Sequence, residues 1–225
     1  MPKLVIDAHR LIGPVPFDDL PADPRPDMDR LGVDRALVTH TLSLYSDPED
    51  GNRALRALDD PRLLPVPVLV PTATEQPPAW DVPMVRLCPE RHRFDVTGPT
   101  TRRWLDALGL PVAVDLEEAS PAQLREVSRH VPKLLVLNPG YRRLRAVAEL
   151  MAEAPNVYLE IGTVNTQRGV EWLAERFGAR RLVFGTGAPV MDDCGPRLLL
   201  DHLDLPPDDV ALIAAGGDLL GEAGR

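Results

Sequence analysis

The side chains able to do chemistry in this chain are spread along it, yet His9, His40, Arg86, Cys88, Asp115, Asn138 and Glu160 each sit at or near the end of a short apolar run. An imidazole, two carboxylates and an arginine gathered in one place form a competent acid/base or ligand-binding set. Glu160 or Asp115 in a dry pocket could take a proton near neutral pH, and Arg86 could orient a carboxylate or phosphate. His9, Asp115 and Glu160 are therefore the candidate catalytic residues. Arg86, His40, Asn138, Thr186 and Gly187 are the candidate ligand contacts. A plainer reading stands beside each: a polar residue closing a buried strand meets water there, and His9 or His40 can simply bond strand-end backbone. Arg86 and Glu160 are costly to bury unless paired, with each other for example.

The runs that carry these residues are Leu4 to His9, Ala36 to His40, Leu64 to Val70, Pro83 to Cys88, Val112 to Glu117, Leu134 to Asn138, Val157 to Ile161 and Leu182 to Gly185. Eight near-continuous Val-, Leu- and Ile-rich runs are what parallel strands covered on both faces require. Helical patterns lie between them. Ser120-Pro121 caps a helix over Gln123 to His130, and Asp47-Pro48 caps one over Glu49 to Leu58. Tyr141 to Met151 and Gln167 to Phe177 have the amphipathic period, and Pro196 to Leu203 and Pro207 to Leu220 follow the last strand. The expected fold is a (β/α)8 TIM-like barrel, in which the C-terminal strand ends converge and would bring the distant polar residues together. Pro71, Pro77 and Pro78 leave the third connection without a helix, so that helix is expected to be missing or vestigial.

At 225 residues, with 44% hydrophobic and 26% charged residues, the chain reads as one domain over residues 1–225, lean for a barrel. A net charge of -9 with only Lys3 and Lys133 as lysines argues against nucleic-acid and membrane partners. Cys88 and Cys194 have no metal-type spacing, so free thiols in a reducing cytoplasm are expected and a disulfide scaffold is not. No apolar run is long enough to span a bilayer, and the N-terminus lacks a leader pattern. Apolar helix faces on a lean barrel make self-association or pairing with a relative plausible.

The glycine turns open a second line. Gly162-Thr163 after the seventh strand and Gly185-Thr186-Gly187 after the eighth fall where many barrels bind phosphate through backbone N–H groups, although glycine also serves ordinary tight turns. There is no nucleophile elbow, no C-x-x-C, no H-E-x-x-H and no phosphate-binding loop of the Walker type.

Ile6-Asp7-Ala8-His9-Arg10-Leu11-Ile12-Gly13 resembles the opening strand of the amidohydrolase superfamily in its amidohydrolase-related branch, I-D-x-H-x-H-x-G. Leu31 to Val38, Val85 to Pro89 and Asn156 to Glu160 resemble that branch's second, fourth and seventh strands, and Arg181 to Pro189 its eighth, R-L-x-F-G-S-D-x-P. The resemblance implies a divalent ion held by two His on strand one, one His on each of strands five and six, and an Asp on strand eight, activating water for hydrolysis or serving decarboxylation. Carried onto this sequence, those positions hold His9, Leu11, Asp115, Asn138 and Gly187. Leu and Gly have no side-chain lone pair and Asn is a poor zinc ligand, while Arg86 and Cys88 stand where a carbamylated lysine would be. The expectation is a barrel without metal or other cofactor that lacks the usual hydrolase activity. It would act as a non-catalytic partner of an active relative or as a binder of a small anionic ligand. The alternative is a hydrolase or decarboxylase rebuilt around His9, Asp115 and Glu160.

Overall fold

The computed structural model describes residues 4–221. Eight strands run β1 (Ile6–Ile12), β2 (Arg35–His40), β3 (Leu63–Pro65), β4 (Val85–Leu87), β5 (Val112–Asp115), β6 (Leu134–Leu137), β7 (Val157–Glu160) and β8 (Leu182–Val183). All pair parallel, β1 to β3 in one sheet and β4 to β8 in another. Two parallel bridges join the sheets into a ring. Val68 pairs with Arg86, with Arg86 N–H donating to Pro67 O at 2.8 Å, and Arg10 pairs with Ala188, with Leu11 N–H donating to Ala188 O at 2.8 Å. The expected (β/α)8 barrel is thus present, and parallel order follows from crossover connections, helical in all but the third.

The helices are α1 (Arg25–Leu31), α2 (Thr41–Tyr45), α3 (Pro48–Arg56), α4 (Pro89–His92), α5 (Pro99–Leu108), α6 (Pro121–Ser128), α7 (Leu144–Glu153), α8 (Gly169–Phe177), α9 (Cys194–Asp201) and α10 (Pro207–Ala214). Their starts follow the sequence signals. Ser120 and Gln123 form a reciprocal capping box on α6, and the Asp47 side chain accepts from Glu49 and Asp50 N–H on α3, each with proline in the first turn. No helix lies between β3 and β4. The proline-broken segment there is tied to α5 instead, with Trp104 Nε1 and Arg103 both donating to Thr72 O at 3.1 and 3.2 Å. The run read as one strand from Leu64 to Val70 is two pieces, because Pro67 has no N–H to continue the ladder.

Strand alternation sorts the core. Val112, Val114, Leu134, Val136, Val157 and Leu159 face the helices, while Ala113, Leu135, Tyr158, Val183 and Leu37 cluster inside the ring. Burying an outward Leu or Val of this kind stabilises by about 1.5–3 kcal/mol. The next inward position along three of these strands is polar: Arg86 follows Met84, Asp115 follows Ala113, and Glu160 follows Tyr158. The mouth is one pleat above an apolar floor.

Candidate functional site

His9 reaches the mouth by a local irregularity. Ala8 belongs to the inner apolar cluster, so strict alternation would send His9 outward; the β1–β2 register instead shifts between Asp7 and Arg10. The extra residue of this bulge re-aims His9 inward and turns Arg10 to the other face. Asp7 holds the bulge. Its fully buried carboxylate accepts from His9 N–H at 3.0 Å, Thr186 N–H at 3.1 Å, Thr186 Oγ1 at 2.7 Å and Arg10 Nη1 at 3.2 Å. Burial nevertheless pushes the Asp7 carboxyl above its ordinary range, outweighing Arg10 and the Thr186 hydroxyl.

At the mouth a chain of contacts crosses the ring. Glu160 Oε2 lies 3.3 Å from His9 Nδ1, and His9 Nε2 lies 3.3 Å from Arg86 Nη1. Arg86 can only donate, so Nε2 carries the lone pair and Nδ1 carries the proton toward Glu160. Arg86 Nη2 makes no hydrogen bond, and the Asp115 carboxylate stands 3.9 Å away from it. Asp115 Oδ2 accepts from Asn138 Nδ2 at 2.5 Å, and Asn138 N–H donates to Glu160 Oε2 at 2.9 Å. Glu160 Oε1 accepts from Gly162 N–H at 3.1 Å. Asn138 takes a left-handed φ of 47° to close this loop, and its Oδ1 and Arg86 Nε are buried without partners.

Above this chain lies a cavity of about 190 Å³. Its lining combines polar groups from His9, Arg86, Asp115 and Asn138 with apolar ones from Leu11, Leu44, Tyr45, Val190 and Met191. Phe17, an exposed ring, packs edge-on to Tyr45 at 5.1 Å. Cys88 lines the cavity as a thiol, since burial pushes its pKa up to about 11.

The structure thus gathers His9, Arg86, Asp115, Asn138 and Gly187 on the cavity, with Glu160 directly behind His9. It does not bring His40 or Thr186 there. The His40 ring caps α2, accepting from Leu42 N–H at 3.1 Å, and burial lowers its pKa. Thr186 is engaged with Asp7 and with Ala188 N–H at 3.1 Å. In the glycine turns, Gly162 N–H is held by Glu160 and Gly187 N–H by His9 O at 2.7 Å, so neither points at a ligand. These glycines answer to close packing: a Cβ on Gly185 would stand 2.6 Å from Glu160 Cγ, and one on Gly162 would stand 2.1 Å from Gly185 O. Sequence reasoning missed Arg91, Glu117, Glu118 and Tyr45 as cavity residues. Arg91 binds Glu118 through its backbone N–H at 3.0 Å and its Nε at 3.3 Å and lies over the Tyr45 ring. Only their place after β2, β4 and β5, on the loops of the barrel's C-terminal face, could have signalled them.

The amidohydrolase family profile matches residues 10–216, nearly the whole chain. The chain belongs to the amidohydrolase family. No curated protein matches it in sequence. Among solved structures it is similar to an uncharacterized TIM-barrel protein from Bordetella bronchiseptica (17% identity, 98% of this chain and 99% of that one, TM-score 0.70). It is also similar to 5-carboxyvanillate decarboxylase from Novosphingobium aromaticivorans, solved with manganese and a nitrobenzoic acid (11% identity, 96% and 94% covered, TM-score 0.69). A third is 2,6-dihydroxybenzoate decarboxylase from Rhizobium (12% identity, 95% and 96% covered, TM-score 0.64). At these identities the likeness is one of fold.

The residues of this amidohydrolase do not fit the family's divalent ion. Of the five inherited positions, Leu11 and Gly187 offer no donor, and a Cβ at Gly187 would stand 2.7 Å from Met191 Cγ, so Met191 fills the space beside it. His9 Nε2, the lone pair a metal would take, faces a guanidinium at 3.3 Å.

Proposed function

We propose that this amidohydrolase-family barrel binds a small monocarboxylate with an apolar body at its mouth. The observation that carries this reading is Arg86: a guanidinium only 6% exposed, lining the cavity, with Nη2 free of hydrogen bonds. A buried guanidinium with unused donors is the natural partner of a carboxylate. The apolar part of the lining, Leu11, Leu44, Tyr45, Val190 and Met191, takes an apolar body. Charge restricts the head group. Arg86 and Arg91 stand with Asp115, Glu117 and Glu118 around the cavity, a lining already net negative, so a monoanion held by Arg86 meets less repulsion than a phosphate dianion would.

Thermal-shift measurements with benzoate, benzamide and inorganic phosphate test this. Benzoate is expected to raise the melting temperature of the wild type, benzamide and phosphate to leave it unchanged, and Arg86→Met to lose the benzoate shift. Equal shifts from benzoate and benzamide would remove Arg86 from the site. A second reading, turnover of the bound acid by decarboxylation or hydrolysis, draws on the Glu160–His9 contact at 3.3 Å, which orients an imidazole toward the cavity. It requires consumption of a bound carboxylic acid that His9→Ala abolishes, followed by chromatography.

A further inference from the structure

We propose that Arg86 is the resident cation of this barrel mouth, a guanidinium standing where relatives of the family hold a divalent ion, and that the surrounding acceptors are kept in place by it. The inference is independent of any carboxylate ligand.

Three observations converge. Two acceptors flank the guanidinium: His9 Nε2 stands 3.3 Å from Nη1, and Asp115 Oδ2, which accepts from Asn138 Nδ2, stands 3.9 Å from Nη2. Glu160, fully buried, acts one step behind by holding the proton on His9 Nδ1, so that the Nε2 lone pair points at Arg86. Charge gives the second reason. Asp115 and Glu160 are both buried at the mouth; Arg86 is the buried cation beside Asp115 and reaches Glu160 only through His9, while Arg91, 41% exposed, is engaged by Glu118. Removing Arg86 leaves the Asp115 carboxylate without its buried cation and the Glu160–His9 pair without the charge in front of it, which favours recapture of a positive ion. The third reason is selectivity. Leu11 and Gly187 supply no ligand atoms and Met191 packs against the Gly187 position, so a compact metal would lack a coordination sphere, whereas a flat, delocalised cation needs only the two acceptors and apolar contact around them.

The test is chemical rescue in the absence of any carboxylate. Arg86→Ala is expected to melt lower than the wild type. Low-millimolar guanidinium chloride should restore roughly half or more of the lost melting temperature by mass action, while equal sodium chloride should not and the wild type should show no gain. Wild-type protein purified without chelator should carry no stoichiometric zinc or manganese by elemental analysis. An unchanged melting temperature in Arg86→Ala, a loss that guanidinium does not repair selectively, or a stoichiometric divalent ion in the wild type would each overturn the proposal. Should Arg86→Ala fail to fold, Arg86→Lys decides with the elemental analysis: it should fold, melt below the wild type, and remain metal-free, and a melting temperature equal to the wild type's or a stoichiometric ion in it would refute the resident-cation role. Absence of benzoate binding in the wild type, with rescue of Arg86→Ala by guanidinium intact, would instead strike only the carboxylate reading.

Discussion

Inside the barrel two layers of side chains are built by the same alternation one pleat apart. The lower layer, with Leu135, Ala113, Tyr158 and Val183, is apolar and in mutual contact. The upper layer, with His9, Arg86, Asp115 and Glu160, is buried almost as deeply; its carboxylates are held by Asn138 and Gly162, but His9 and Arg86 are held only by contacts of 3.3 and 3.9 Å, with Arg86 Nε and Asn138 Oδ1 unpartnered. Close packing leaves the lower layer nothing to offer a ligand. Incomplete pairing leaves the upper layer with polar atoms not yet spent on the protein, at the cost of their being buried while unsatisfied.

The largest expected effect breaks the lower layer. Leu135, fully buried, should cost about 2–5 kcal/mol on change to alanine. Denaturant unfolding measures the loss, and titration of the surviving folded protein with benzoate should show unaltered affinity. Next comes the support beneath His9. Thr186→Val removes a buried hydroxyl that donates to Asp7 and accepts from Ala188 N–H, and should cost about 1–3 kcal/mol by the same unfolding experiment. Benzoate binding should survive it, because Thr186 lies behind the site; a larger loss of affinity than of stability would place Thr186 in the cavity after all.

The smallest effect concerns the rim. Burial holds His40 below its ordinary value of 6.5, and His92 is lowered for the same reason. As pH falls below about 6.5 the unfolded chain takes up protons that the folded chain refuses, so stability is present above that value and declines as pH drops further. His40→Asn keeps a side-chain oxygen for Leu42 N–H without the titration, and should flatten part of the decline in melting temperature between neutral and mildly acidic pH.

Much of the scaffold was legible because parallel strands covered on both faces must read as apolar runs, and Pro48, Pro121 and the residues before them mark helix starts. The absent third helix was legible for the opposite reason: Pro71, Pro77 and Pro78 cannot be helical interior. Side-chain direction was not. The bulge between Asp7 and Arg10 leaves no mark in Ile-Asp-Ala-His-Arg-Leu-Ile, yet it decides that His9 faces the cavity and Arg10 does not. Position at a strand end likewise placed His40 and Thr186 beside Arg86, although one caps a helix and the other braces Asp7. Arg91 and Glu118 lay in loops, where no periodicity announces which residues turn toward the mouth.

The account turns on the mouth working through its own arginine. The direct measurement is calorimetric titration of the wild type with benzoate after exhaustive dialysis against a chelator, with benzamide as control. The account predicts that benzoate binds with the same affinity before and after chelation and that benzamide does not bind. Binding that vanishes on chelation and returns only with zinc or manganese would contradict it.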